Sequence, residues 1–174
     1  MKRILILATV AVLTVGAFST VSASNEQNER KDVKAKLSGF AEVPSISTTG
    51  TGKLRLSIDK ANSTITYELS YSGLQGGTVG AAHLHLGQAG VSGLPFAFLW
   101  GGDGKPSCPA STTTPITGTI TSANILGSAT AQGIAAGELA EVLRAIRAGV
   151  VYANVHTATY PGGEIRGQVS GGWH

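Results

Sequence analysis

The stretch Leu54-Arg55-Leu56-Ser57-Ile58-Asp59-Lys60-Ala61-Asn62-Ser63-Thr64-Ile65-Thr66-Tyr67-Glu68-Leu69-Ser70-Tyr71 decides the fold class. Leu54, Leu56 and Ile58 alternate with charged or polar neighbours, and Ile65, Tyr67, Leu69 and Tyr71 repeat the alternation. Period two is the signature of a strand with one buried face, because successive side chains project to opposite sides of the chain. Between the two runs, Lys60-Ala61-Asn62-Ser63 suits a tight reversal, since Asn and Ser bond their own backbone. The stretch therefore predicts a β-hairpin.

Working outward, Val33, Ala35 and Leu37 alternate in the same way, and further strands are predicted at Val79 to Leu86, Phe96 to Leu99, Ile116 to Ile120, Val150 to His156 and Glu164 to Val169. They are separated by segments rich in Gly, Pro and Thr, and 24 glycines serve the turns. Short strands so spaced predict an all-β fold, an antiparallel Greek-key or immunoglobulin-like β-sandwich of about eight strands. One segment departs from period two. Leu139, Val142, Leu143 and Ile146 fall at helical spacing, with Glu138 and Glu141 early, Arg144 and Arg147 late and Gly149 as a stop. A single short α-helix is expected over Ala136 to Ala148, just before the penultimate strand, covering an open end or edge.

The chain of 174 residues is short enough for one domain, and its 42% hydrophobic and 13% charged content argues against disorder. Met1-Lys2-Arg3, the apolar run Ile4 to Phe18 and the small residues Val21-Ser22-Ala23 have the order of a signal peptide, with cleavage expected after Ala23. The apolar run falls short of the ~20 residues of a spanning helix and is broken by Thr9, Thr14 and Gly16. The expected organisation is a signal peptide at 1–23, a polar leader at 24–32, a domain at 33–170 and a tail at 171–174, secreted or periplasmic and without membrane insertion after cleavage.

Without Lys2 and Arg3, 11 basic residues face 10 acidic ones. The basic cluster Arg30, Lys31, Lys34 and Lys36 is interrupted by Asp32 and preceded by Glu26 and Glu29, too little for nucleic-acid binding through phosphate neutralisation. Cys108 is the only cysteine, so an intrachain disulfide and a four-thiolate metal site are both excluded. It sits in the loop-like stretch Gly101 to Pro115 with no His or Arg nearby in sequence to activate it. No Gly-x-Ser-x-Gly elbow, phosphate-cradling loop or dinucleotide fingerprint occurs, so no catalytic residue and no organic cofactor is indicated.

Chemistry concentrates in the histidines. His83 and His85 share one face of a predicted strand, with Cα atoms ~6.6 Å apart, while Leu84 and Leu86 take the other. His156 shares a face with Tyr152 and Asn154 on another strand. If the two strands are neighbours, three neutral imidazoles converge, a donor set that suits Zn²⁺ and Cu²⁺ and leaves a coordination position open. The alternative is that the histidines bond across the sheet and fix loops. Glu164 and Arg166 flank Ile165 after the turn Pro161-Gly162-Gly163. Glu164 is a candidate to accept from an imidazole N–H, and Arg166 to hold an anion or carboxylate, Glu42 among them. A structural clamp closing the sheet is the competing role for the same residues.

The blocks Leu37-Ser38-Gly39, Ala41-Glu42-Val43-Pro44, Gly50-Thr51-Gly52, Ala81-Ala82-His83-Leu84-His85-Leu86-Gly87, Asn154-Val155-His156-Thr157 and Pro161-Gly162-Gly163-Glu164-Ile165-Arg166-Gly167 stand in an order that resembles the CHRD domain family, named for the repeated module of chordin. Ser45 follows Pro44 where that pattern usually has a second proline. The resemblance implies an extracytoplasmic β-rich module over most of the chain, as in chordin, a secreted antagonist of growth factors. His83-Leu84-His85 before a Gly-rich loop is also similar to the copper strand of copper/zinc superoxide dismutases, although the further histidines, aspartate and disulfide of that family are not matched here. Taken together, the two resemblances imply an exported binding module for an extracytoplasmic protein or small ligand, with a metal ion, copper first and zinc second, held by His83, His85 and His156. A superoxide dismutase-like redox enzyme and a purely structural extracellular module are the alternatives.

Overall fold

Alternating burial along the chain produces the elements of the fold. A computed structural model describes residues 30–61 and 63–171, in which the strands are β1 (Lys31–Ser38), β2 (Thr51–Asp59), β3 (Thr64–Ser72), β4 (Val79–Leu86), β5 (Pro95–Trp100), β6 (Ile116–Ile120), β7 (Val151–Thr157) and β8 (Ile165–Gln168). The signal segment 1–23, most of the leader, Asn62 of the hairpin turn and tail residues 172–174 lie outside the described residues. β1 begins at Lys31, two residues before the expected start of the domain.

The predicted hairpin forms as β2 and β3, in register from Thr51 opposite Ser72 to Asp59 opposite Thr64. Ser63 takes a φ of 48°, the left-handed backbone that a tight reversal uses. Leu54, Leu56, Ile58, Ile65, Tyr67, Leu69 and Tyr71 are all buried, and each large aliphatic among them contributes about 1.5–3 kcal/mol relative to an exposed position. A slip of one residue would turn that whole set to solvent, which fixes the register.

All ladders are antiparallel and belong to one sheet, ordered β5-β4-β7-β8-β1-β2-β3-β6. The sheet coils into a near barrel around the core. The hydroxyl of Tyr67 on β3 donates to the carbonyl of Leu99 on β5 at 2.6 Å, from one flank of the sheet to the other. Two facing sheets were expected, and a Greek key with them, but the ladders form a single one. Alternation sets which face of each strand is buried and leaves open how the sheet closes on itself.

The helix α1 spans Leu139–Arg147, starting three residues later than its periodicity suggested. Gly137, at φ 84°, breaks the helical path just before it. Leu139, Val142, Ala145 and Ile146 are buried, whereas Leu143 is only partly so. The 3-10 turns that precede the helix, at Ser122–Asn124 and Gly127–Gln132, cover the edge of β5: the Leu126 N–H donates to the Phe96 carbonyl at 2.8 Å, and the side-chain oxygen of Gln132 accepts from the Leu94 N–H at 2.7 Å. Satisfying an edge strand in this way removes a template for unwanted pairing.

Candidate metal centre

β7 is buried on both faces, and this places the site. Val151, Ala153 and Val155 enter the core, while Tyr152, Asn154 and His156 lie on the outer side of the sheet beneath two loops. One loop, residues 87–94, returns over β4. The Gly93 N–H donates to the Tyr152 hydroxyl at 3.1 Å, and an added Cβ at Gly93 would lie 1.6 Å from the Leu86 carbonyl oxygen, so only glycine allows so close a return. The other cover is the turn Tyr160 to Gly163, where the Gly163 N–H donates to the Tyr160 carbonyl at 3.0 Å.

β4 and β7 are neighbours, with Ala81 opposite His156, His83 opposite Asn154 and His85 opposite Tyr152. This is the adjacency on which convergence of the three histidines depended. Register shifts beside His83 and His85 on the β5 side re-aim that stretch of β4, as bulges commonly do. One ring nitrogen from each of His83, His85 and His156 lies within 4.8 Å of the others. Three nitrogens on one ion at ~2.0–2.1 Å stand ~3.4–3.6 Å apart, so the widest pair must close by about 1 Å, which small side-chain rotations within their rotamer wells would supply.

The hydrogen bonds fix the tautomers. His85 Nδ1 lies 3.0 Å from the Gly93 carbonyl and His156 Nδ1 lies 2.9 Å from the Pro161 carbonyl, so both carry the proton at Nδ1 and direct a lone pair from Nε2. His83 Nδ1 lies 2.9 Å from that His156 Nε2, so His83 is the donor and its own Nε2 keeps a lone pair. The Nε2 atoms of His83 and His85 are buried without a hydrogen-bond partner, and His156 Nε2 is held only by the neighbouring imidazole. Carbonyls that orient two imidazoles through one nitrogen and leave the other for an ion are the outer support typical of histidine metal ligands.

Burial keeps the rings neutral. It pushes His83 down to about 3, with His156 and His85 adding to the effect, and pushes His85 down to about 4, with the Gly93 carbonyl and the Asn154 side chain only partly opposing. His156 is lowered by burial as well, against its bond to the Pro161 carbonyl. Neutral imidazole is the form that binds a transition metal. Aromatic contacts hold the rings: Phe98 meets His83 edge-on with centroids 4.3 Å apart, and Tyr152 stacks on His85 at 4.8 Å and 15°.

The remaining candidate residues divide differently. Arg166, 2% exposed, donates to the carbonyls of Gln88 at 3.0 Å and Val91 at 2.8 Å, and its guanidinium carbon lies 3.4 Å from the centre of the Tyr152 ring. It pins the covering loop and completes a stack of Arg166, Tyr152 and His85. Tyr152 was visible in sequence only as a residue on the face of His156; its central place in this stack depends on the register with β4. No described ion pair joins Arg166 to Glu42. Glu42 is 7% exposed, and burial pushes its carboxyl up to about 7, with Arg166 only partly opposing. Its Oε1 has no hydrogen-bond partner and shares the space over Gly163 with the amide of Asn154. Asn154 donates to the Gly162 carbonyl at 3.2 Å, while its Oδ1 is a further buried acceptor without a donor.

Glu164, fully buried, accepts from Thr48 Oγ1 and the Gln75 N–H, each at 2.6 Å, and from the Gly76 N–H and Thr157 Oγ1, each at 2.9 Å. Burial alone would raise its pKa, but these four bonds outweigh it and hold the carboxyl below the usual range. Its bonds go to these donors, and none of those described comes from an imidazole. Cys108 is partly buried against the core, and burial pushes its thiol up to about 11, which disfavours the reactive thiolate.

The family model for the CHRD domain matches residues 33–169, most of the chain. No match was found among curated proteins or among solved structures. Among the described residues, no helix is long and apolar enough to cross a membrane.

Proposed function

Because the chain belongs to the CHRD domain family, we propose that it is an exported binding module, secreted or periplasmic, carrying one copper or zinc ion at His83, His85 and His156. The observation that carries the metal reading is the pair of buried, partnerless lone pairs on His83 Nε2 and His85 Nε2 beside His156. Leaving such acceptors without a donor costs about 1–3 kcal/mol each, and a cation would offset that cost. Copper comes first because nitrogen donors favour Cu²⁺ over the other divalent first-row ions, with zinc next. A fourth position is left for water or for a donor atom of a bound partner.

A structural module is the second reading, favoured by the 2.9 Å bond between His83 and His156 and by the two carbonyl contacts. It leaves the two Nε2 atoms unexplained. A redox enzyme would use a positively charged approach to the metal. Arg166, the cation that follows the Pro161-Gly162-Gly163 turn, is buried and committed to carbonyls and offers no such approach.

The test is metal analysis of the purified protein after addition of Cu²⁺ or Zn²⁺ and removal of excess. One equivalent in the intact protein and none in the His83→Ala/His85→Ala variant is the expected result. Absence of stoichiometric metal in the intact protein would leave the structural reading.

A further inference from the structure

The outer face of β1 and β2 carries a second, unrelated feature. Lys34 and Lys36 project from it on β1, Lys53 and Arg55 on β2, while Val33, Ala35, Leu37, Leu54 and Leu56 point into the core. The register sets Lys34 opposite Arg55 and Lys36 opposite Lys53. The four cations therefore stand on a grid of ~5 Å across the strands and ~7 Å along them. Like charges directly opposite one another on a sheet oppose pairing, so strand stability does not explain the arrangement. The sequence as a whole is close to balanced in charge, which makes this a local concentration.

The carboxylates nearby gather at one corner. Asp32 binds Arg55 at 2.6 Å and also the Ser57 hydroxyl, with Lys34 adding a weaker attraction, and Glu68 lies 3.8 Å from Arg55. At the other corner Lys36 and Lys53 face each other, and among the described residues neither side chain has a hydrogen bond or ion pair. A shallow groove of about 390 Å³ runs between the cations, with Ser70 and Pro115 on its border.

We infer that this face binds an acidic polysaccharide, one bearing carboxylate or sulfate groups. The repeated cations match a linear array of anions, which gains affinity by releasing counterions from the polymer. The rest of the face selects among polyanions. Its other outward residues on β2 and β3 are mainly hydroxyls, Thr51, Ser57, Thr66, Ser70 and Ser72, which suit sugar hydroxyls. Among the described residues it presents no aromatic ring on which a base could stack. The exposed large hydrophobics among the described residues are Phe40, in the 3-10 turn after β1, and Val43, Val91 and Leu94, in loops, and none is on these strands.

The experiment measures half-saturation of the full protein on polygalacturonate and on dextran sulfate at about 50 mM salt, with neutral dextran, phosphatidylglycerol vesicles and a single-stranded oligonucleotide alongside. Binding to both acidic polysaccharides, weakened at least tenfold by raising salt to about 200 mM, is expected, with weaker binding to the vesicles and the oligonucleotide. Lys34→Gln/Lys36→Gln/Lys53→Gln is expected to weaken polysaccharide binding at least tenfold with no fall in melting temperature. Lys60→Gln/Arg144→Gln/Arg147→Gln, which removes as much charge elsewhere, is expected to leave it within twofold. The inference is overturned by no binding to either acidic polysaccharide, by equal loss in the two triple variants, or by tighter binding to vesicles or oligonucleotide.

Discussion

Replacing Glu164 tests whether one carboxylate organises the chain around the histidines. Its two oxygens each take one threonine hydroxyl and one backbone N–H: Oε1 from Thr48 and Gln75, Oε2 from Thr157 and Gly76. In Glu164→Gln the amide nitrogen must replace one oxygen. A hydroxyl can turn to accept from it, but whichever orientation is chosen, one buried backbone N–H loses its acceptor, at about 1–3 kcal/mol. In Glu164→Ala both N–H groups lose their acceptor and a cavity opens, so the expected cost is about 3–6 kcal/mol.

The assay is urea unfolding followed by fluorescence and circular dichroism together, at pH 7 and again in acid. The depressed pKa of Glu164 means that its contribution is fully present above the unfolded value of about 4.5 and is lost as pH falls through the lower folded value. The gap between wild type and Glu164→Gln is therefore expected to narrow below about pH 4.5. Equal stability of wild type and Glu164→Gln at pH 7, or a wild-type advantage that persists unchanged in strong acid, would refute the clamp.

Acid sensitivity of the metal-free protein follows from the histidines. His83 at about 3 and His85 at about 4 stay neutral in the folded state while the unfolded chain takes up protons below about 6.5, so stability falls with pH in that window. At about 1.4 kcal/mol per pH unit for each group, discounted for partial exposure, the loss between pH 7 and 5 is about 2–4 kcal/mol. Glu42 works the other way, because its raised value of about 7 favours the folded state as pH falls towards 4.5, an offset of about 2 kcal/mol. Urea unfolding at the two pH values should therefore show a shallow loss in wild type and a steeper one in Glu42→Gln; identical slopes would contradict this. Gly163→Ala meets a φ of 127° and would place its Cβ 2.4 Å from Glu42 Oε1. It is expected to cost about 2–4 kcal/mol, a fall of roughly 5–15 °C in melting temperature. An unchanged melt would show that the turn relaxes freely.

Strands β1, β2 and β3 were the most legible because their burial is mainly one-sided, whereas β7 is buried on both faces. The helix was legible because Leu139, Val142 and Ile146 return every three or four residues. Closure into one sheet was not, since it depends on which distant strands pair, as β1 does with β8 through Ser38 and Arg166. His83 and His85 announced a shared face by their spacing, and His156 joined them through register between strands 73 residues apart. The roles of Arg166 and Glu164 were the least visible. Their partners are backbone groups at Gln88, Val91, Gln75 and Gly76, and a carbonyl or N–H leaves no mark in a sequence.

Pulsed electron paramagnetic resonance of the protein loaded with one equivalent of Cu²⁺ tests the metal reading most directly, because it counts coordinated imidazoles. Coupling to three imidazoles is expected in the intact protein, falling to two in His156→Ala and to none in His83→Ala/His85→Ala, which no longer retains the ion. A Cu²⁺ signal with oxygen ligands alone, or a spectrum unchanged by those substitutions, would contradict the three-histidine site.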